Sequence, residues 1–105
     1  MSSLSTHVLD AVRGTPATGV GVTLYAGDEV RGDGRTDGDG RIAALGSALT
    51  SGTYRLVFDT GAYFARLGVE TFYPEVSITF AVTEERHYHV PLLLSPFAFS
   101  TYRGS

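Results

Sequence analysis

His7, His87 and His89 are the three histidines of this chain, and imidazole is the side chain best suited to moving a proton near neutral pH. His87 and His89 are separated by one residue, so in a strand they project from one face while Tyr88 projects from the other. Such a pair admits three readings: two metal ligands, a base with a helper, or two polar residues on a solvated sheet face. Spacing alone favours the solvated face, and His7 carries the same ambiguity. Arginine supplies the complementary chemistry, because a guanidinium offers planar paired donors to carbonyl or anionic oxygens. Arg41 follows a Gly/Asp-rich segment and precedes apolar Ile42, which taken alone reads as an ordinary exposed arginine. Arg103 stands in the closing run Tyr102-Arg103-Gly104-Ser105. Chain ends fray unless something ties them down. A tail carrying an aromatic ring, a guanidinium and a carboxylate after a strand-like stretch points to a tail that belongs to a site.

Other chemistries find no support. Asp33-Gly34-Arg35-Thr36-Asp37-Gly38-Asp39-Gly40 has the look of a calcium loop, with Asp37 and Gly38 at the fifth and sixth positions. Its twelfth position, however, is Ala44 and Arg35 fills a ligand position, so turn chemistry is the better reading. No Gly-Lys-Ser/Thr phosphate loop and no Gly-x-Ser-x-Gly elbow is present. Cysteine is absent, which removes disulfides, thiolate metal sites and thiol nucleophiles, and fits a reducing compartment. There is no lysine, the formal net charge is -3, and no basic cluster exists to hold nucleic acid. No apolar run approaches a membrane span and the start of the chain lacks a signal-peptide pattern. A soluble cytoplasmic protein with no nucleic-acid or membrane partner is the expectation.

The elements that must position these groups are short runs rich in Val, Thr, Tyr, Phe and Leu, punctuated by Gly, Pro and Asp. That pattern is an all-β sandwich or barrel in one domain, residues 1–105. Strands are expected over Thr6–Val12, Val20–Tyr25, Thr53–Asp59, Val76–Val82, His87–Leu94 and Phe97–Arg103, with Arg41–Leu45 weakly regular. Gly32–Gly40 reads as a loop with hairpin-type turns. Thr60–Leu67 breaks the alternation and allows one short helix, with Thr60 as its cap and Gly68 as its stop. Seven or eight antiparallel strands in 105 residues leave sheet edges free, which invites an oligomer built edge to edge.

Several segments, taken in order, make a more specific pattern. They are Leu4-Ser5-Thr6-His7-Val8-Leu9-Asp10, Gly14-Thr15-Pro16-Ala17, Asp39-Gly40-Arg41, Phe72-Tyr73-Pro74-Glu75, the run from His87 to Pro96, and Ser100-Thr101-Tyr102-Arg103-Gly104-Ser105. With these, the chain resembles the 5-hydroxyisourate hydrolases, transthyretin-like enzymes of purine degradation, from Leu4 to Ser105. Val8 to Gly14 and Ser95-Pro96 would equally suit transthyretin, the carrier that shares the fold. His7, Arg41, His89 and the Tyr-Arg-Gly-Ser ending look like the hydrolase. Phe97-Ala98-Phe99 departs from the family pattern, where Tyr or Gly is often found.

The resemblance implies a transthyretin-like β-sandwich of two four-stranded antiparallel sheets with one short helix. It implies a homotetramer, a dimer of dimers, with active sites in the channel between dimers. The implied reaction is hydrolysis of the N1–C6 amide of the purine-derived small molecule 5-hydroxyisourate, giving 2-oxo-4-hydroxy-4-carboxy-5-ureidoimidazoline. His7 and His89 would position and deprotonate water, and Arg41 would bind substrate oxygens and stabilise negative charge. Tyr102, Arg103 and Ser105 would shape the substrate pocket, and His87 would have a supporting role at most. Neither a metal nor an organic cofactor is implied. The alternatives are a carrier of a small aromatic ligand in the same channel and a structural sandwich module.

Overall fold

Alternation of side chains along the first strand sets the plan of the molecule. The computed structural model describes residues 1–105. In β1 (Ser2–Asp10) Leu4, Thr6 and Val8 are buried, while Ser3, Ser5, His7 and Leu9 lie on the opposite, partly exposed face. The same two-residue period governs β3 (Gly21–Ala26), where Val22 and Leu24 point inward, and β6 (Gly52–Phe58), where Tyr54, Leu56 and Phe58 do. The remaining strands are β2 (Thr15–Pro16), β4 (Glu29–Arg35), β5 (Arg41–Leu49), β7 (Val76–Val82), β8 (His87–Ser95) and β9 (Ala98–Thr101).

Two sheets result. One has the order β4-β3-β6-β7; the other runs β2-β1-β8-β9, with β5 also paired to β1. Fully buried Leu4, Val8, Leu92 and Leu94 belong to the second sheet, and fully buried Val22, Leu24, Leu56 and Phe58 to the first; all belong to one apolar cluster. The sandwich expected from the strand pattern is therefore present.

Its details depart from expectation in ways that matter for function. Not every pairing is antiparallel, because β1 and β8 run parallel in the register Ser3–His87, Ser5–His89, His7–Pro91 and Asp10–Leu94. A parallel pair needs a long crossover, and everything between these two strands supplies it. The loop expected over Gly32–Gly40 is strand as far as Arg35. Gly32 serves close approach instead of turning, since a Cβ there would collide with the Leu45 backbone, whereas one at Gly34 would make only ordinary contact with the Ile42 side chain. The weakly regular stretch after Arg41 is the nine-residue strand β5.

At the far end of β1, Asp10 accepts hydrogen bonds from the Val12 and Arg13 amides through Oδ1 and from the Tyr63 hydroxyl through Oδ2. The strand ends there, two residues before the expected Val12, and the Tyr63 bond fixes α1 (Thr60–Arg66) to it. The helix cap is Asp59, whose side chain accepts from the Ala62 amide at 3.2 Å. Thr60, the expected cap, is fully buried and donates to the Tyr73 carbonyl. Gly68, at φ +68°, ends the helix as expected.

Candidate functional site

The parallel register carries the chemistry. Because β1 and β8 run the same way, the outward faces of Ser3, Ser5 and His7 lie alongside those of His87, His89 and Pro91. On its other side β1 meets β5 antiparallel, with His7 directly opposite Arg41. Two histidines and one arginine that are far apart in sequence thus share one sheet face, and the third histidine, His87, extends the row.

Each of these groups is held by identifiable contacts. Asp37 Oδ1 accepts from the Asp39 amide at 2.9 Å and the Arg41 amide at 3.0 Å, an Asx-type turn that fixes the chain where Arg41 enters the strand. Those two bonds hold the Asp37 carboxyl below the usual carboxylate range. Gly40, at φ +74°, lets the turn press against β1, where the Val8 amide donates to the Gly40 carbonyl at 2.7 Å. On β8, His89 is half-buried and its Nδ1 lies 2.7 Å from Ser5 Oγ. His87 is exposed; its Nδ1 lies 2.6 Å from Ser3 Oγ and its Nε2 lies 2.7 Å from the same Ser5 Oγ.

The tail is pinned onto this row. Thr101 Oγ1 donates to the Pro91 carbonyl at 2.8 Å, and the Gly104 amide donates to the His89 carbonyl at 2.8 Å. Gly104 is buried against the imidazole, and a Cβ at that position would stand 2.5 Å from His89 Cδ2. Only glycine allows the tail to close over the ring.

An open cleft of about 340 Å³ lies here, lined by Ser5, Thr6, Arg41, Ile42, Ala43, His87, His89 and Ser105. Of the residues singled out by sequence, Arg41, His87, His89 and Ser105 therefore share a cleft, whereas His7 does not line it and stands opposite Arg41 in the strand pairing. Tyr102 and Arg103 do not line it within one chain. They border a separate, more apolar depression with Ile78, Phe80, Tyr88 and Val90. Burial in this cleft, followed by repulsion from the Arg41 charge and from His7 and His87 when they are protonated, lowers the His89 pKa from its ordinary 6.5. His89 consequently keeps a neutral ring, with a lone pair available, further into the acid range than a free histidine. A neutral imidazole beside a guanidinium can take a proton from water while the guanidinium holds a developing oxyanion.

Sequence reasoning did not find Ser3 and Ser5 as site residues. The signal available was Ser3-Ser5-His7 at period two, which places both hydroxyls on the histidine face of β1. No group of three or more His, Cys, Asp or Glu side chains is arranged to hold a metal ion.

Comparison with known proteins places the chain and its fold in a class. A solved structure of Klebsiella pneumoniae 5-hydroxyisourate hydrolase superposes with a TM-score of 0.94 at 45% identity, covering 100% of this chain and 94% of that one. Sea bream transthyretin in complex with thyroxine superposes with a TM-score of 0.88 at 35% identity, covering 97% and 94%. The fold is thus the transthyretin-like sandwich, common to a hydrolase and to a transthyretin that binds thyroxine. By sequence, the 5-hydroxyisourate hydrolase of Salmonella typhimurium is 47% identical over 109 residues, spanning 97% of this chain and 80% of the relative. Residues 4–104 match the HIUase/Transthyretin family, and the chain belongs to that family.

Proposed function

We propose that this chain hydrolyses 5-hydroxyisourate in urate degradation. The observation that carries the reading is the shared cleft of His89 and Arg41, a depressed-pKa imidazole next to a permanent cation, in a chain 47% identical to a hydrolase of that name. His89 takes a proton from a water that His7 helps to orient, and the hydroxide adds to the C6 carbonyl. Arg41 stabilises the oxyanion of the tetrahedral intermediate. Collapse breaks the C6–N1 bond, the imidazolium returns its proton to N1, and the new carboxyl group ionises. Ser105 closes the cleft wall.

The assembly we infer is a homotetramer, a dimer of dimers in the cytoplasm, with the clefts facing a channel to which Tyr102 and Arg103 contribute. Two features support association. β7 and β9 are free sheet edges, and Phe72, Phe97 and Tyr102 are 71%, 63% and 58% exposed. A carrier role is the second reading, favoured by the likeness to thyroxine-bound transthyretin. The two imidazoles and the guanidinium in the cleft weigh against it, since proton transfer and oxyanion stabilisation need such groups and the holding of an aromatic ligand does not.

Freshly generated 5-hydroxyisourate followed by its ultraviolet absorbance tests the assignment. Purified protein is expected to accelerate its decay well above the spontaneous rate, and no acceleration rejects the hydrolase reading. Light scattering on the same sample tests the assembly: a monomer that turns over at full rate removes the channel.

A further inference from the structure

The contacts around His89 form a continuous line from solvent to cleft. Ser3 Oγ meets His87 Nδ1 at 2.6 Å, His87 Nε2 meets Ser5 Oγ at 2.7 Å, and Ser5 Oγ meets His89 Nδ1 at 2.7 Å. The hydroxyl of Ser5 therefore stands between two imidazole nitrogens. A hydroxyl has one proton and two lone pairs, so it donates to one of them and accepts from the other, or accepts from both. With both rings neutral and the Ser5 proton kept within the line, there are two ordered arrangements; if Ser5 accepts from both, His89 carries its proton on Nδ1.

In the first, His89 carries its proton on Nδ1 and donates to Ser5, Ser5 donates to His87 Nε2, and His87 Nδ1–H donates to Ser3. In the second, every bond reverses and His89 carries its proton on Nε2. Nδ1 is occupied by Ser5 in both, so Nε2 is the nitrogen left for the cleft. The cleft decides between them. Arg41 in its wall has donors and no acceptor. A bare Nε2 complements that positive field, whereas Nε2–H would add a donor where a donor already stands.

We propose that Ser5 and His87 are positioning residues that hold His89 as the Nδ1–H tautomer, so that its Nε2 lone pair is presented to the attacking water. The geometry gives Ser5 the direct role and His87 the role of fixing which way the Ser5 hydroxyl points. His87 thereby acquires a task that its exposure alone would not suggest. The inference rests on the hydrolase reading for its consequence in turnover, but the tautomer is a property of the protein without substrate.

Nitrogen-15 NMR of the histidine-labelled full chain at neutral pH reads the tautomer directly. The native protein is expected to show His89 with a protonated Nδ1 and an unprotonated Nε2. Ser5→Ala removes the acceptor and is expected to move His89 towards the Nε2–H form, with kcat lowered about tenfold or more and KM little changed, as for other outer partners that orient a reacting group. Ser5→Thr restores a hydroxyl and is expected to restore both tautomer and rate. His87→Ala is expected to give a smaller shift in the same direction. A native His89 already in the Nε2–H form overturns the proposal, as does a Ser5→Ala protein that folds with its tautomer unchanged. Loss of turnover in the native protein, with the expected tautomer present, rejects only the hydrolase reading.

Discussion

The two faces of the β1/β8 pair share one backbone ladder and do different work. Inward, Leu4, Thr6 and Val8 lie alongside Tyr88, Val90 and Leu92, none more than 6% exposed. Outward, Ser3, Ser5 and His7 lie alongside His87, His89 and Pro91. The inner face contributes stability through apolar burial and has only a few polar bonds to satisfy, such as that from Thr6 Oγ1 to the Val90 carbonyl at 2.6 Å. The outer face is held by hydrogen bonds between side chains, which fix direction more than they stabilise. A slip of one residue in the register would exchange the faces, placing histidines in the core and leucines in the cleft. The core therefore guarantees the register on which the chemistry depends.

Substitutions on each face should separate these roles. The largest effect on turnover is expected from His89→Asn, which keeps a polar side chain but removes the base. It should lower kcat/KM by about 10²- to 10⁴-fold, with the denaturant midpoint nearly unchanged. On the inner face, Leu92→Ala should destabilise the fold by about 2–5 kcal/mol, measured by urea unfolding, while the rate per folded molecule stays close to native. A chain in which Leu92→Ala left stability intact and abolished the rate would erase the division between faces. Gly104→Ala comes next: its Cβ must push the His89 ring aside, and a displacement of the ring should lower kcat/KM by about 10- to 100-fold at nearly constant thermal stability.

The smallest effect concerns pH. The folded-state pKa of His89 lies below its ordinary 6.5, so the unfolded chain binds more protons between those two values. The rate should therefore fall on the acid side with a midpoint below 6.5, and stability should decline over the same window as pH falls. Burial does most of this, with Arg41, His7 and His87 adding to it. Arg41→Gln should move the midpoint of the kcat/KM profile back upward, whatever it does to the plateau. An unchanged midpoint would mean that Arg41 has no part in setting it.

The sandwich and its strand order of polarity were legible because strand alternation is a local property of sequence. His7, Arg41 and His89 were legible only through the likeness of whole segments to a family, since each alone reads as an exposed residue. The parallel pairing of β1 and β8 was not legible, because nothing local distinguishes a strand's parallel neighbour from an antiparallel one. Ser5 was missed for that reason: its partner, His89, lies 84 residues away. Gly32 misled in the opposite direction, since glycine marks a turn and a close backbone approach equally well. The helix was recognised, but its cap was displaced by one residue because Thr60 is drawn into the interior by the Tyr73 carbonyl.

The crossover that joins β1 to β8 also governs when the protein can first become what it is. During synthesis β1 emerges early, yet its long partner is made only after some eighty further residues, at a pace of about 5–20 residues per second. Through that interval its Leu4 and Val8 have no β8 to cover them, and His7 has no Pro91 beside it. The ribosome thus releases the proposed cleft's earliest and latest components several seconds apart, and the cleft can form only once β8 and the run that follows it have emerged. A fragment that stops before β8 would lack His87 and His89 and with them one whole wall of that cleft.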